Sequence, residues 1–237
     1  MRVGIATLVV IGAVAALVAL GITDHILPAT DPQTLSVRPW VAARALGVTA
    51  YLLLTLEVAA GLVLSHPRNT SEWRKTKQVF PWHEMLAVFT GAFLTLHIVL
   101  LAIDPYAGVG VVGAFVPGFS QFRPIPVAIG SVALYALIFT AVTAKWTRVL
   151  PGSWWLKVHR FAAVVFFATW MHGVLAGTDS GSLMPMYIVT GVLILGGVAH
   201  RWWAAKVRPQ RTVPAPGDGD NVIPMRRPAP VAVTEES

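Results

Sequence analysis

Residues 82–103 read WHEMLAVFTGAFLTLHIVLLAI, and this stretch sets the class of the protein. Its one formally charged side chain is that of Glu84, and it is as long as the roughly 20 apolar residues that a helix needs to cross a bilayer. Five more predominantly apolar stretches lie at 3–22, 39–64, 125–144, 155–176 and 185–205. The sequence therefore predicts an all-α membrane protein, a bundle of six transmembrane helices.

The composition supports this prediction and excludes several kinds of chemistry. Only 12% of the 237 residues are charged, whereas about a quarter are charged in a soluble domain. The chain has no cysteine, which excludes disulfides, thiolate-held iron–sulfur clusters, covalent haem attachment and a cysteine nucleophile. The 17 prolines are expected in connections, in the C-terminal stretch or, for Pro39, Pro126 and Pro185, in the first turn of a span.

The positions of the basic residues predict that both termini are cytoplasmic, because cytoplasmic connections collect Lys and Arg. Of the 18 Lys and Arg residues, 15 lie before span 1, in 66–81, in 145–160 or from Arg201 onward. Arg38 and Arg123 lie on the other side, and Arg44 lies inside span 2. This distribution orients the helices and leaves no separate basic fold that would bind nucleic acid.

Three regions are expected along the chain. Residues 1–38 form a retained first transmembrane helix and an external loop, and residues 39–206 form the core. Residues 207–237, with scattered charge and no apolar period, are expected to be a disordered cytoplasmic tail. No Gly-rich phosphate-binding turn precedes a helical pattern, so the sequence predicts no flavin or nicotinamide domain.

Four of the seven histidines lie within two predicted spans. His83 and His97 are 14 residues apart in span 3, and His159 and His172 are 13 apart in span 5. Spans 3 and 5 run in the same direction, so His83 shares a depth with His159 near the cytoplasmic face, and His97 shares one with His172 near the outer face. The two levels are about 20 Å apart at ~1.5 Å rise per residue.

Ionisable side chains inside a bilayer are costly and by default mark function. Two depth-matched histidine pairs predict two b-type haems, each held by one imidazole from each helix. Two are needed because a single haem does not cross ~30 Å of hydrocarbon. The alternative is that the histidines are hydrogen-bonded interhelical contacts.

The two histidine spacings, 14 residues in span 3 and 13 in span 5, place the second histidine at different angles around the helix axis. At ~100° per residue, 14 residues return to within about 40° of the same face, whereas 13 residues end about 140° away. Either the haems are approached from different sides of span 5, or that helix is locally rewound.

Three charged residues are candidate neighbours of these sites. Arg44 lies near the level of His97 and either pairs with haem propionates or snorkels to the headgroups. Arg160 either serves the inner propionates or is a plain cytoplasmic cation. Glu57 either accepts the second N–H of an inner imidazole, pairs with Arg160, or is a protonated acid in the bundle.

Other residues are assigned weaker roles. The connection 104–124 is expected to cover the outer haem or shape an acceptor site. Asp104 and Asp179 are expected to be solvated boundary residues, with docking of a cationic or iron-chelate substrate as the alternative. His25, His66 and His200 have no depth-matched partner and are not expected to be ligands. Aromatic side chains between the two levels are expected to pack in the core or against the haems: Phe89, Phe166, Phe167 and Trp170.

Residues 40–203 resemble the ferric reductase-like transmembrane domain, the haem-binding core of NADPH oxidases, ferric reductases and the haem subunit of the bacterial methionine sulfoxide reductase system. The resemblance rests on the histidine spacing and on RALG at 44–47, WLKVHR at 155–160 and HGVLAGTD at 172–179. It implies His83 with His159 on an inner haem and His97 with His172 on an outer one. The flavin and nicotinamide domain of the oxidases has no counterpart here, as in the short bacterial subunits that take electrons from a partner.

The predicted function is transmembrane electron transfer by an oxidoreductase component in a bacterial inner membrane. Two b-type haems would pass electrons from a cytoplasmic flavin reductase or flavoprotein, with a flavin at the cytoplasmic face as a further candidate cofactor. The acceptor outside would be ferric iron, oxygen or a redox partner protein. The alternatives are a quinol-linked cytochrome b anchor subunit and a cofactor-free transporter or channel that uses the histidines as proton relays.

Overall fold

A computed structural model of the chain describes residues 4–26, 28, 31–67, 73–151 and 154–207. All regular structure in these residues is helical. The α-helices are α1 Ile5–Ile26, α2 Pro32–Leu64, α3 Trp73–Ile103, α4 Gly110–Phe115, α5 Pro124–Lys145, α6 Trp154–Arg160, α7 Ala162–Ala176 and α8 Ser180–Lys206. Short 3₁₀ helices lie at Pro105–Ala107 and Thr147–Val149.

Within the described residues, six helical segments are long and apolar enough to cross a membrane, which confirms the predicted six-span, all-α fold. Helices α6 and α7 together form the fifth of them. The proposed tail at 207–237 lies, apart from Val207, outside the described residues.

Helix α2 begins at Pro32, seven residues before the predicted start at 39. The cause is a cap: the Asp31 carboxylate accepts the backbone N–H of Thr34 at 2.8 Å, and Pro32 occupies the first turn, where no N–H is needed. The expected first-turn position of Pro39 was therefore wrong, because this residue lies inside the helix.

Two other prolines also lie inside helices, Pro81 in α3 and Pro185 in α8. Both helices start well before the apolar stretches that predicted them, so Pro81 is not in a connection and Pro185 is not in a first turn. Each proline removes one hydrogen bond near a helix end. Such a loss is tolerated where water or a neighbouring helix satisfies the freed carbonyl.

Helices α2, α3, α5 and α7 form the centre of the bundle, with α2 packed on α3 and α5 packed on α7. Helix α1 packs mainly on α3, and α8 packs on α7 and α2. Large apolar side chains on the outer surfaces are exposed, among them Leu17, Ile125 and Val189. A bilayer is the environment in which such a surface is stable.

The fifth span is interrupted at Phe161, between α6 and α7. The N–H of Phe161 bonds the Val158 carbonyl at 2.9 Å, and the N–H of Val164 bonds the Phe161 carbonyl at 2.8 Å. Both bonds join residues three apart, which is the tighter 3₁₀ winding. Span 5 is thus locally rewound between His159 and His172.

Candidate functional site: two histidine pairs

The pair predicted to lie on the outer side, called the outer pair, consists of His97 on α3 and His172 on α7. Both imidazoles line one cavity. His97 Nδ1 lies 2.7 Å from the carbonyl oxygen of Ala43 on α2. His172 Nδ1 lies 2.8 Å from the carbonyl oxygen of Pro126 on α5. Each histidine is thus tied to the backbone of the neighbouring helix.

The inner pair consists of His83 on α3 and His159 on α6. Their ring centroids are 5.9 Å apart and the ring planes meet at 86°. His83 Nδ1 lies 3.0 Å from the carbonyl oxygen of Glu57. His159 Nδ1 is buried and has no hydrogen-bond partner among the described residues.

The carbonyl contacts determine which ring nitrogen of His83, His97 and His172 is available. A carbonyl oxygen only accepts hydrogen bonds, so Nδ1 must carry the proton and donate it. In a neutral imidazole the lone pair is then on Nε2. This is the arrangement in which histidines ligate metals, with the second nitrogen hydrogen-bonded to fix the tautomer and the ring orientation.

The spacing of the inner pair suits a metal held between two imidazoles. Two metal–nitrogen bonds of about 2 Å each, plus the distance from each nitrogen to its ring centre, require centroids about 6 Å apart. The observed separation is 5.9 Å. No group of three His, Cys, Asp or Glu side chains converges in the described ranges, so a metal site built from protein side chains alone finds no support there.

Arg44 lines the cavity of the outer pair and is held at its mouth. Its guanidinium forms an ion pair with Asp179 and lies 4.4 Å from the centre of the Trp40 ring. The Nε atom is buried and has no partner among the described residues. Arg44 is therefore held by Asp179 and Trp40 rather than snorkelling freely to the headgroups.

The two carboxylates expected at the boundary, Asp104 and Asp179, each have a specific partner. Asp179 pairs with Arg44 at the start of α8. Asp104 is buried, and its Oδ1 accepts the backbone N–H of Tyr106 at 3.1 Å, which caps the adjacent 3₁₀ helix. The hydropathy of the sequence predicts that these residues lie at the membrane boundary. It does not predict their partners, because those depend on tertiary contacts.

The connection 104–124 forms part of the cavity wall. Ala107, Val109, Ala114 and Phe122 from this connection line the cavity beside His97 and His172. Its fold is anchored by Ser131 of α5, whose hydroxyl donates to the Ala114 carbonyl at 2.9 Å. This supports the expectation that the connection covers the outer site.

Glu57 contacts the inner pair through its backbone. Its carbonyl accepts from His83 Nδ1, whereas its carboxylate atom Oε2 is buried with no hydrogen-bond partner in the described part of the chain. The sequence left three roles open for the Glu57 side chain: acceptor of an imidazole N–H, partner of Arg160, or protonated acid in the bundle. Arg160 is exposed at the end of α6, and the ion pairs within the described residues do not include Glu57 with Arg160.

An aromatic cluster separates the two histidine levels. Phe166 is fully buried and stacks on Tyr51, with ring centroids 5.8 Å apart. Tyr51 is hydrogen-bonded to Thr190 of α8, and the Trp170 indole donates to the Tyr187 carbonyl at 2.8 Å. Phe166, Phe167 and Trp170 thus pack in the core, as expected of core aromatics.

The structure brings together two histidines that we expected to lack a partner. His66 and His200 stack with ring centroids 5.2 Å apart and planes inclined by 18°. His66 lies two residues after the end of α2, and His200 lies near the end of α8. Their proximity therefore follows from packing between helices that are distant in sequence. His25 is exposed on α1.

The backbone acceptors were missed by the sequence analysis, because every residue has a carbonyl. One signal was present: Ala43 and Glu57 are 14 residues apart, as are His83 and His97. Because α2 and α3 are antiparallel, equal spacings on the two helices allow two contacts, His97 with Ala43 and His83 with Glu57.

A comparison with known proteins gives the family. The family model described as ferric reductase like transmembrane component matches residues 46–170, which include His83, His97 and His159. Searches of curated proteins and of solved structures gave no match. The matched segment is more than half of the 237 residues, so the chain belongs to the ferric reductase-like transmembrane family.

Proposed function

We propose that the chain is a two-haem, b-type conduit that carries electrons across a membrane. The His83/His159 pair would hold the inner haem, and the His97/His172 pair would hold the outer one. Membership of the family suggests transmembrane electron transfer in general. The number and position of the haems are our proposal.

The observation that carries the proposal is the shared hydrogen-bonding pattern of three histidines. His83, His97 and His172 each donate Nδ1–H to a helix carbonyl and leave Nε2 with its lone pair. A carbonyl oriented in this way raises the basicity of the ligating nitrogen. When bound, a haem with two imidazole ligands supplies a one-electron iron couple with both axial positions filled.

The same pattern disfavours a proton relay, the alternative that needs no cofactor. A relaying imidazole takes a proton on one nitrogen and releases it from the other. Here Nδ1 faces a backbone carbonyl, which does not take up a proton at ordinary pH. Three of the four histidines thus have no onward proton acceptor at Nδ1.

The remaining residues of the outer site would bind and enclose the group. Arg44 offers its unpartnered Nε–H to a propionate, since guanidinium groups bind carboxylates well. The apolar wall from the 104–124 connection would exclude water. For the inner site, we propose that Arg160 serves the propionates.

We further propose that electrons enter on the cytoplasmic side from a reduced flavin or a flavoprotein and leave outside. Ferric iron, oxygen and a redox partner protein are the candidate acceptors. The inner position of His83 and His159 follows from the predicted orientation of the helices.

The test is a reduced-minus-oxidised spectrum with haem quantitation for the purified protein and its histidine variants. We expect a low-spin b-type spectrum with two haems per chain. His83→Ala, His97→Ala, His159→Ala and His172→Ala should each lose about half of the haem, because each removes one axial ligand. The matched control is His25→Ala, whose side chain is exposed on α1 and which should retain both haems.

A folded, colourless protein made with ample haem would contradict the proposal. Equal spectra for the wild type and the four variants would contradict the assignment of the ligands. Reduction by quinol in vesicles without a flavin donor would favour the quinol-linked alternative.

A further inference from the structure

Each carbonyl that accepts a histidine Nδ1–H lies four residues before a glycine on the same helix. The pairs are Ala43 with Gly47, Glu57 with Gly61, and Pro126 with Gly130. In each case the histidine imidazole also faces that glycine. The same arrangement, a carbonyl acceptor followed four residues later by a glycine that faces the imidazole, therefore occurs twice on α2 and once on α5.

The geometry of an α-helix explains why glycine occurs at this position. A side chain on a helix covers the turn that precedes its own Cα, where the carbonyl four residues earlier is found. Glycine leaves that carbonyl open from the side. The carbonyl keeps its helical bond to the glycine N–H and uses its second lone pair for the imidazole.

The distances show how little room there is at the outer pair. A Cβ on Gly47 would lie 2.7 Å from both Nδ1 and Cε1 of His97, and a Cβ on Gly130 would lie 2.6 Å from Nδ1 of His172. Both are too close for any real contact. A Cβ on Gly61 would lie 3.4 Å from His83 Cε1, an ordinary contact distance.

We infer that Gly47 and Gly130 are positioning residues for the two outer histidines. Their missing side chains let each imidazole approach the neighbouring helix and donate to its carbonyl, and this contact orients Nε2. The role in haem binding rests on the proposed function, whereas the fit between glycine and imidazole does not.

The two histidine pairs differ in this respect. Fourteen residues after Gly130 the corresponding position is Ala144, and four residues before it lies Thr140, whose backbone interacts with His159. The contact does not reach hydrogen-bond geometry at His159 Nδ1, so the one position of the four that carries alanine is the one without a full carbonyl bond.

The test compares Gly47→Ala and Gly130→Ala with the matched control Gly61→Ala. At the first two positions the methyl group should displace the imidazole and lengthen its Nδ1–H bond. The ligand then becomes a weaker donor, so the midpoint potential of the outer haem should rise, or that haem should be lost, while the inner haem keeps its potential. Gly61→Ala, which lies beside the inner His83, should leave the outer potential unchanged.

A second measurement needs no haem. In the cofactor-free protein, Gly47→Ala should lower the thermal unfolding midpoint, although alanine favours a helix more than glycine does. In a His97→Ala background the same change should not lower it, because the group that collides with the methyl is gone.

An equal loss of unfolding midpoint in both backgrounds would overturn the inference, since it would indicate helix packing alone. An equal effect of Gly61→Ala and Gly47→Ala on the outer potential would also overturn it. A colourless protein that still shows the coupling between Gly47 and His97 would contradict the proposed function and not the positioning role. A haem-loaded protein without the coupling between Gly47 and His97 would contradict the positioning role and not the proposed function.

Discussion

Individual side chains near the outer pair combine opposite charges in an apolar site. Arg44 and Asp179 form an ion pair at the edge of the cavity that His97 and His172 line. Charges interact more strongly there than in water, because the surrounding dielectric constant is lower. The ion pair is partly exposed, so its contribution to the stability of the fold is expected to be small.

The two charges should instead shift the outer redox potential in opposite directions. A positive charge stabilises the reduced state of the iron, which carries one positive charge fewer. Arg44→Gln should therefore lower the midpoint potential of the outer haem, and Asp179→Asn should raise it. A redox titration followed in the visible spectrum measures both shifts.

A neighbouring arginine on the same helix supplies the control for this prediction. Arg38 pairs with Asp24 and is not among the residues that line the cavity, so Arg38→Gln should leave the outer potential unchanged. Shifts in the same direction for Arg44→Gln and Asp179→Asn would contradict an electrostatic origin.

At the scale of elements, some helices carry the histidines and others carry the carbonyls that accept their hydrogen bonds. Helices α3, α6 and α7 carry the histidines, and α2 and α5 present the backbone acceptors. The step between the two acceptors of α2 equals the 14-residue step between His83 and His97. On the other side of the bundle the histidine step is 13, and the 3₁₀ turn at Phe161 changes the phase between α6 and α7.

The turn at Phe161 should therefore set the direction of His159. Insertion of one alanine after Phe161 would rotate α6 by about 100° relative to α7 and turn His159 away from His83. We expect loss of the inner haem with retention of the outer one, measured by haem quantitation and by redox titration.

An alanine inserted after Pro151, in the connection that precedes α6, is the control for this rotation. Lengthening a connection costs little and leaves the phase between His159 and His172 unchanged, so both haems should remain. Retention of both haems after the Phe161 insertion would show that the phase of α6 is unimportant.

At the scale of the whole molecule, the orientation of the bundle in the membrane stays a prediction. It rests on the 15 basic residues that fall on one side. The absence of cysteine makes a direct test simple, because single cysteines can be introduced without a background.

Gln121→Cys lies in the exposed part of the 104–124 connection, and Thr147→Cys lies between α5 and α6. In intact cells a membrane-impermeant thiol reagent should label Gln121→Cys, whereas Thr147→Cys should be labelled only after permeabilisation. The unmodified, cysteine-free chain is the control. The opposite labelling pattern would reverse the proposed direction of electron flow.

The six spans and the four histidines were predictable from sequence because each depends on a local property. The length of an apolar run suffices to identify a span, and a polar side chain inside such a run stands out. The sequence also indicated that His159 and His172 do not share a face of a straight helix, and it left open whether span 5 is rewound or the two sites are approached from different sides of it.

The early start of α2 was not predictable from hydropathy, because the Asp31 cap is a single polar contact outside the apolar run. The stacking of His66 on His200 also required the structure, since it joins helices that are distant in sequence.

The sequence by itself determined that this is a six-span membrane protein with two histidine pairs at two depths. Only the tertiary structure decided how the imidazoles are held: by the carbonyls of Ala43, Glu57 and Pro126, with Arg44 paired to Asp179 at the cavity mouth. The reason is physical. Insertion of a helix in a membrane depends on the composition of that one segment. A hydrogen bond between a histidine and a neighbouring helix depends on how two segments are aligned with each other.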